Sequence, residues 1–438
     1  MTRDETVALW QQCASARDAA LAESNSPKEA HEAAKWIWNA WARPMLEARH
    51  ALEASGRFIA KKDEKYDDFV ASETMSSDPA TQGWMQAAMV NFSGFMFEER
   101  ADFGGFIFPG QALFGDSARY TRTTAIRNPT TFAAGARFSE AVFHMDTVFD
   151  WSEFNQAAGF RDAEFRGIAR FDECKFKSTA WFFGARFFDD VWFGQCKFGG
   201  FTNFSRARFG SVSSFSAARS DGAFTLGEAV FAKLPDLVQT SFRETPRLDN
   251  VSLPAPAFFP GLKPKAALEE QAKFRAIRRL AIAGQDHDNE SMAFKGEVRS
   301  RRGTLDKPWH SAFWFGALYD VLSDFGRSMM RPFYFWLISI AGFTAAYLAD
   351  AGKLADYAAR CAKPNADAAP QWLNALAVAA KNALVFAGSD RRMEPQYACL
   401  YGDAVPVTGT FIQMGQTVWS AILIFLFLLA VRNRFKLK

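Results

Sequence analysis

A ladder of phenylalanines organises the middle of this chain. Between Phe138 and Phe215 the ring recurs with steps that alternate between five and six residues, an eleven-residue period without a break. The rings of this stretch are Phe138, Phe143, Phe149, Phe154, Phe160, Phe165, Phe171, Phe176, Phe182, Phe187, Phe193, Phe198, Phe204, Phe209 and Phe215. The period extends back to Phe92 and, with Leu replacing some rings, forward to Leu253. Because self-similarity at a fixed period determines the architecture of a repeat protein, this ladder constrains the fold more strongly than any other feature.

A small side chain stands two residues before most rings, as in the triplets that begin at Ala136, Ala169 and Ala185. Each unit thus offers a small and a large inward position, followed by polar residues or glycine for a corner. The pattern resembles the Phe-rich variant of the pentapeptide-repeat family. That resemblance implies a right-handed quadrilateral β-helix over residues 91–255, with one unit on each face and the ring at its centre pointing inward.

Four steps of the ladder add up to 22 residues, so each coil should hold about 22 residues. One column of rings then stacks through the core, and its members are Phe138, Phe160, Phe182 and Phe204. Cys174 and Cys196 are also 22 residues apart and both occupy the small position, so they should stack as buried, unpaired thiols. We interpret the extra residue on alternate faces as widening the coil enough to hold four rings at each level.

The ladder slips once. From Phe114 to Phe138 the apolar residues are spaced by six throughout, with Tyr120 and Ile126 between them. This irregularity indicates an outward loop or a distorted coil. Both a tolerated insertion and a functional loop account for it.

Residues 1–90 have a polar, helical composition, and Ser26 followed by Pro27 is a typical helix start. An apolar face recurs at mixed three- and four-residue spacing. Its members are Trp36, Trp38, Trp41, Met45 and Leu46. We interpret the segment as a helical N-terminal cap over the open end of the repeat, with a partner-docking helix as the alternative.

Residues 256–308 are expected to form a linker and two basic helices. A run of prolines marks the end of the repeat, and Phe274, Ile277 and Leu280 then line one face of a helix whose other face is basic. A second basic cluster follows at 299–302. Basic clusters near a membrane segment commonly contact anionic headgroups, and a solvated helix hairpin explains the same pattern equally well.

The last part of the chain has the pattern of a membrane domain. Residues 309–331 are expected to form an amphipathic helix in the membrane interface, because aromatic residues alternate with a polar stripe. Within 332–438, two stretches without a charge, 333–349 and 404–431, are predicted to span. Basic residues flank their outer ends, so the positive-inside rule places both termini in the cytoplasm. The apolar segment 371–390 between them is interpreted as a re-entrant or external helix.

The motifs of this region are Leu318-Tyr319-Asp320, Ser323-Asp324-Phe325-Gly326-Arg327, Arg331-Pro332, Lys381-Asn382-Ala383-Leu384-Val385-Phe386-Ala387-Gly388 and Leu429-Ala430-Val431-Arg432-Asn433-Arg434-Phe435. They resemble the channel-like tail of bacterial membrane-bound pentapeptide-repeat proteins. The resemblance implies an oligomeric pore in the inner membrane, a tetramer by analogy with two-helix channels. Its ion pathway would contain Phe386, Ala387, Gly388, Ser389 and Asp390. Potassium filters carry a Thr-Val-Gly-Tyr-Gly loop, which is absent here, so potassium selectivity is not supported.

Two further readings of this region stay open. The hairpin could conduct ions, with the repeat as a sensing or docking arm, or it could only anchor and oligomerise a scaffold that binds a cytoplasmic protein. Cys361 and Cys399 both fall in the external connection, where a disulfide is permitted. Spacing alone cannot establish that pairing.

Other function classes have little support in the sequence. The five histidines are scattered without metal-ligand spacing, and we expect no metal site, no cofactor and no enzymatic activity. A formal charge of +3 over 438 residues argues against nucleic-acid binding. Residues 92–253 hold 19 acidic and 18 basic side chains, which excludes the strongly negative rod that mimicry of DNA requires.

Overall fold

The ladder spacing brings equivalent residues of successive coils into direct register. Phe154 pairs with Phe176 and Glu153 with Lys175 in parallel, an offset of 22 residues.

A computed structural model describes the chain over residues 1–58, 61–62, 74–75, 78–115, 129–254, 264–302, 305–352, 354, 357–361, 369–384, 394–402 and 405–434. It contains two compact units. The first comprises Met1–Ala257 with Leu268–Glu297, and the second comprises Phe258–Ala267 with Val298–Lys438.

The first unit is a parallel β-solenoid of about six turns with four faces, which confirms the expected quadrilateral β-helix. Face 1 consists of Val90–Asn91, Ala112–Leu113, Thr147–Val148, Ala169–Arg170, Val191–Trp192 and Ser213–Ser214. Face 2 consists of Met96–Phe97, Thr131–Phe132, Glu153–Phe154, Lys175–Phe176, Lys197–Phe198, Arg219–Ser220 and Ser241–Phe242. Face 3 consists of Ala101–Asp102, Ala136–Arg137, Ala158–Gly159, Ala180–Trp181, Thr202–Asn203 and Phe224–Thr225. Face 4 consists of Ile107–Phe108, Val142–Phe143, Glu164–Phe165, Arg186–Phe187, Arg208–Phe209 and Val230–Phe231. Lys61–Lys62 and Thr74–Met75 form a separate antiparallel pair.

The phenylalanine rings fill the solenoid and contact one another in two ways. Along each column they stack nearly parallel: Phe160 lies 5.0 Å from Phe138 and 4.7 Å from Phe182, between ring centroids, and Phe182 lies 4.6 Å from Phe204. Between faces 1 and 3 they meet edge to face, as Phe160 does with Phe149 at 5.5 Å. Both geometries are favoured by the ring quadrupole. Four buried rings therefore fit at each level, as the widened coil requires.

The five-residue and six-residue steps make different corners. Each five-residue step from Phe138 onward contains one residue in the left-handed backbone region, so this conformation recurs every eleven residues. These residues are Glu140, Trp151, Asp162, Glu173, Gly184, Gln195, Arg206, Ala217, Glu228, Gln239 and Asn250. Since a left-handed non-glycine residue costs ~1 to 2 kcal/mol, the strand pairing and ring packing on both sides must impose it.

One corner column satisfies backbone carbonyl groups with small polar side chains. Its members Thr130, Ser152, Cys174 and Cys196 donate to the carbonyl oxygens of Phe92, Phe114, Phe149 and Phe171 over 2.9, 3.0, 3.0 and 2.8 Å, respectively. Both thiols are buried and free, as the 22-residue spacing predicts. Burial raises the pKa of each thiol, which keeps it protonated as a donor.

The slip in the ladder is an insertion between two faces. Met96 pairs with Thr131, a register offset of 35 residues and thus 13 more than in the other coils. The strand after Ala112–Leu113 on face 1 is Thr131–Phe132 on face 2. The coil is therefore complete without Tyr120 and Ile126, which lie outside the described residues.

Helices α1 (Arg3–Ser24), α2 (Pro27–Ala54) and α3 (Pro79–Ala88) supply partners to the first strands of the solenoid. Trp38 Nε1 donates to the carbonyl oxygen of Ile107 at 2.9 Å, and the Asn39 carboxamide oxygen accepts from its amide at 3.0 Å. Such contacts remove the unpaired edge that a first coil otherwise presents. The expected apolar face is wrong at Trp36, which is exposed, because the side of α2 that is buried runs through Ala34, Trp38 and Ala42.

Helices α4 (Pro264–Ala283) and α5 (His287–Arg301) form a hairpin at the other end. Phe274 and Ile277 of α4 and Met292 of α5 are buried in the same apolar cluster as the solenoid core. A Cβ atom at Gly296 would come within 2.3 Å of the Phe274 ring, so glycine permits this close approach. The part of the hairpin from Leu268 to Glu297 thus belongs to the same compact unit as the solenoid.

The second unit is helical over its described residues. Its helices are α6 (Ser311–Ser323), α7 (Met330–Ala351), α8 (Tyr357–Cys361), α9 (Gln371–Ala383), α10 (Glu394–Tyr401) and α11 (Val407–Arg434). Helices α7, α9 and α11 pack on one another, and α6 packs on α7 and α11.

Candidate functional site

Two helices of the second unit are long and apolar enough to cross a membrane. They are Met330–Ala351, with a mean hydropathy of 1.4, and Val407–Asn433, with a mean hydropathy of 2.1. At a rise of ~1.5 Å per residue both exceed ~30 Å, the thickness of a hydrocarbon core. Most of their surface is not buried within the chain, unlike that of core helices. The expected membrane association thus has two candidate spans.

Helix α9 lies between these two helices and is too short to span. Its 13 residues correspond to ~20 Å. Trp336 Nε1 of α7 donates to the carbonyl oxygen of Ala383 at 3.1 Å, and Gln416 Nε2 of α11 donates to that of Ala379 at 2.6 Å. The C-terminal half of α9 is therefore tied to both long helices through its own backbone.

The expected ion-pathway residues Phe386, Ala387, Gly388, Ser389 and Asp390 lie outside the described residues. The chain is described up to Leu384 and again from Glu394. The structure therefore describes the helices on both sides of this stretch, α9 and α10.

Polar side chains are buried where α9 meets α11. Gln416 and Ser420 are one turn apart on α11 and fully buried. The Gln416 carboxamide oxygen and the Ser420 hydroxyl have no hydrogen-bond partner among the described residues. Buried polar groups normally have partners, so this part of the interface is suited to an additional polar group.

A hydrogen-bonded network surrounds the two ends of α9. Asn382 Nδ2 donates to the hydroxyls of Tyr347 and Tyr397, at 3.0 and 2.8 Å. At the N-terminal end, Asn374 Nδ2 donates to the hydroxyl of Tyr357 at 3.0 Å, and that hydroxyl donates to the carbonyl oxygen of Ala369 at 2.7 Å. The network connects α9 to α7, α8 and α10 and fixes its rotation.

The connection between α7 and α11 is held at two further points. Cys361 in α8 and Cys399 in α10 are disulfide-bonded, with 4.5 Å between their Cα atoms. Thr408 Oγ1 donates to Asp350 Oδ2 at 3.0 Å, which joins the end of α7 to the start of α11. Both contacts constrain the segment in which α9 is set.

A buried ion cluster joins α5 to α6. Arg299 Nη2 lies 2.7 Å from Asp320 Oδ1, and Arg302 Nη1 lies 2.9 Å from Asp320 Oδ2. Burial by itself raises the pKa of the Asp320 carboxyl, but hydrogen bonds and charge from the two arginines hold it below its usual range. The charge of Arg302 is thus balanced inside the protein by Asp320.

The turn after α6 has an unusual backbone. Asp324, Phe325 and Gly326 are consecutive residues with φ values of 51°, 57° and 77°. A Cβ atom at Gly326 would lie 2.9 Å from both Tyr319 Oη and Asn433 Nδ2, so the turn needs glycine for space as well as for conformation. Consecutive left-handed residues are rare outside glycine, and the side chain of the middle residue, Phe325, is buried.

The solenoid holds a pair of buried acids. Asp150 and Asp172 lie one coil apart in the same corner, and Asp150 Oδ1 accepts from the Asp172 amide at 2.9 Å. Burial raises the pKa of both carboxyls, and Arg170 beside them offsets only part of that increase. We assign this pair to corner structure, since both acids cap backbone amide groups. Among the described residues, no three His, Cys, Asp or Glu side chains are grouped as a metal site requires.

The comparisons with known proteins agree with the solenoid. Residues 160–208 match the family model Pentapeptide repeats (9 copies). This segment covers about two coils of the ladder, in which every ring position is Phe. No curated protein and no solved structure matches the chain. The function of the C-terminal unit must therefore be argued from its own geometry.

Sequence reasoning missed several residues of this unit. Gln416 and Ser420 lie in an uncharged span that hydropathy alone treats as uniform. Their spacing of four residues on one helix face is a signal that was available. The pairing of Asp320 with Arg302 carried no such signal, because it joins two helices whose packing the sequence does not specify.

Proposed function

We propose that this protein is a membrane-anchored solenoid protein whose C-terminal hairpins assemble around an ion pathway. The observation that carries the proposal is the position of α9, a half-length helix hydrogen-bonded to Trp336 and Gln416 between two candidate spans. A chain that turns back at membrane depth must be buried in protein or line a cavity, because lipid cannot satisfy its backbone. Copies arranged around an axis would supply such a cavity.

The electrostatics of α9 favour a cation in this pathway. A helix C-terminus carries a partial negative charge of roughly half an electron. The C-terminal half of α9 is the part that is hydrogen-bonded to both candidate spans, α7 and α11. The unpartnered oxygens of Gln416 and Ser420 add no positive charge. We propose a symmetrical assembly, a tetramer by analogy with two-helix pores, in the inner (plasma) membrane of a bacterial cell with both termini in the cytoplasm. The solenoid would then be a cytoplasmic sensing or docking arm.

Ion flux into liposomes that contain the purified full-length protein tests this proposal. Gly388→Leu should abolish the flux, because a bulky side chain would obstruct the pathway. Gly342→Leu is the matched control, since a Cβ atom at Gly342 on α7 would have no neighbour within 4 Å. Equal flux from both variants contradicts the assignment of Gly388, and no flux from a correctly assembled wild-type oligomer contradicts conduction.

A second candidate function is a non-conducting scaffold that docks a protein partner. It is favoured by an aromatic patch on face 3 of the solenoid, where Trp181 and Phe201 are partly exposed and meet edge to face at 5.3 Å. Beside them, Phe183 lies between the guanidinium groups of Arg161 and Arg206 at 5.3 and 5.6 Å. Exposed aromatic and arginine side chains are enriched at binding surfaces. Absence of flux together with loss of partner binding in Trp181→Ala would support this function.

A further inference from the structure

Helix α6 has its polar side turned inward and its apolar side turned outward. Inward lie Asp320, held by Arg299 and Arg302, and the carbonyl oxygen of Gly316, which accepts from Arg302 Nη2 at 2.9 Å. The exposed large apolar side chains of α6 are Trp314 at 63%, Phe315 at 71%, Leu318 at 40% and Val321 at 57%, and Trp309, two residues before the helix, is exposed at 77%. A surface helix of a soluble domain has the opposite arrangement, with the apolar stripe towards the core.

The outward face has few polar groups that need a hydrogen bond from water. The indole N–H of Trp314 donates to the carbonyl oxygen of Pro308 at 2.7 Å, so that ring can leave water without losing a hydrogen bond. The remaining side chains of the face, apart from the indole of Trp309, carry no polar atom. Trp309 stands at the edge of the face, where an indole typically sits at the level of lipid headgroups.

The location of α6 within the second unit indicates what covers its exposed apolar face. Leu322 packs with Leu423 and Leu426 of α11, which holds α6 against the C-terminal half of a candidate span. Near the start of α7, Phe333 and Tyr334 are also exposed. Exposed apolar side chains thus occur both on α6 and on the long apolar helices that it packs against.

We propose that the aromatic face of α6 is embedded in the headgroup–acyl boundary of a lipid bilayer, with the Arg299–Asp320–Arg302 cluster holding it in this orientation. The inference rests on the proposed membrane insertion of α7 and α11. Lipid is the occupant that fits, because α6 packs directly on those spans and its exposed face is rich in tryptophan. The exposed Arg327, in the turn that follows α6, is available to lipid phosphate groups. Phe313 and Ala317 of α6 are half-buried and do not belong to this exposed face.

A fluorophore attached to one introduced cysteine tests the proposal in the full-length protein. The native cysteines do not interfere, because three are buried and two are disulfide-bonded. Leu318→Cys is the test position and Trp36→Cys, an exposed aromatic site on α2, is the matched control. Val418→Cys, exposed on α11, reports insertion of the span. The protein is reconstituted into vesicles of phosphatidylcholine and phosphatidylglycerol that carry spin labels at a shallow or a deep acyl position.

We expect a blue-shifted emission at Leu318→Cys that the shallow label quenches, deep quenching at Val418→Cys, and neither at Trp36→Cys. In the Asp320→Asn background, the shallow quenching at position 318 should be lost, because the Arg299–Asp320–Arg302 cluster is disrupted. The deep quenching at Val418→Cys should be unchanged, because the span itself is not altered. This arm separates an orienting role of Asp320 from a general loss of folding.

Three outcomes overturn the inference in distinguishable ways. If Leu318→Cys behaves like Trp36→Cys while Val418→Cys is quenched, α6 is not in the bilayer and the anchor survives. A blue shift at position 318 without lipid quenching means that protein, such as a second copy, covers the face. Absence of quenching at Val418→Cys rejects membrane insertion, and the inference fails together with the proposed function.

Discussion

The solenoid and the C-terminal unit distribute apolar and polar side chains in opposite ways. In the solenoid the rings are inside, and charged residues such as Glu153 and Lys175 pair on the outer surface of a face. In the C-terminal unit Phe411 and Phe425 are exposed, whereas Gln416 and Ser420 are buried. Burial of apolar area in water stabilises the first arrangement, but the second is stable only where the surroundings are themselves apolar.

This difference is the one expected if water surrounds the solenoid and, as proposed, lipid surrounds α7 and α11. Along the solenoid every coil repeats the same solution, so stability comes from neighbouring coils and is distributed along the rod. If α7 and α11 span a membrane as proposed, their association cannot depend on the hydrophobic effect, because lipid is as apolar as the side chains. Interhelical hydrogen bonds and close packing take its place, which is why the polar residues are inside.

The largest effect should come from truncating a ring in the middle of the ladder. Phe160→Ala should destabilise the solenoid by ~3 to 5 kcal/mol, since the rings stacked above and below cannot close the cavity. The thermal midpoint of the β-structure, followed by circular dichroism of the detergent-solubilised chain, measures this. Phe188→Ala removes an exposed ring and should leave the midpoint nearly unchanged. Equal losses from both variants would show that the solenoid does not depend on its buried rings.

The next effect concerns the buried acids of the solenoid. Burial raises the pKa of Asp150 from 3.8 to about 7, so between these values the folded chain binds more protons than the unfolded chain. The stability contribution is therefore greatest below pH 4 and is lost as the pH rises through 7. Since one pKa unit corresponds to ~1.4 kcal/mol, the loss amounts to a few kcal/mol.

Comparison of wild type with Asp150→Asn at pH 5 and pH 8 measures this contribution. The wild type should lose thermal stability relative to the variant as the pH rises, because the variant has no proton to release at this site. Asp221→Asn, with a partly exposed carboxyl, is the matched control. A pH profile of Asp150→Asn that coincides with that of the wild type would refute the assignment.

The smallest effect should come from a single interhelical hydrogen bond in the hairpin. Gln416→Leu removes the bond to the Ala379 carbonyl and should weaken the attachment of α9 by ~0.6 to 2 kcal/mol. Faster hydrogen–deuterium exchange in residues 371–383 of the liposome-embedded protein would report it. Gln413→Leu changes a glutamine that makes no side-chain hydrogen bond to α9 and should leave the exchange unaltered. If both variants exchange alike, α9 is held by packing alone.

The repeat spacing was sufficient to predict the solenoid, its 22-residue coil and the stacked thiols, because the same local contacts recur in every coil. The left-handed corners were not predictable from residue type. Glu173, Ala217 and Gln195 occupy them although none favours that backbone conformation, and pairing with the adjacent coils overrides their preference. The two long apolar helices were equally evident from composition, and both occur at the expected places.

What the sequence determined by itself is thus the periodic part of the molecule and the length of its apolar helices, since both depend on local, repeated patterns. Only the tertiary structure decided which side of α6 faces outward, that Arg302 is paired with Asp320, and that α9 is tied to Trp336 and Gln416. These are single contacts between segments that are distant along the chain, so no repeated spacing in the sequence indicates them.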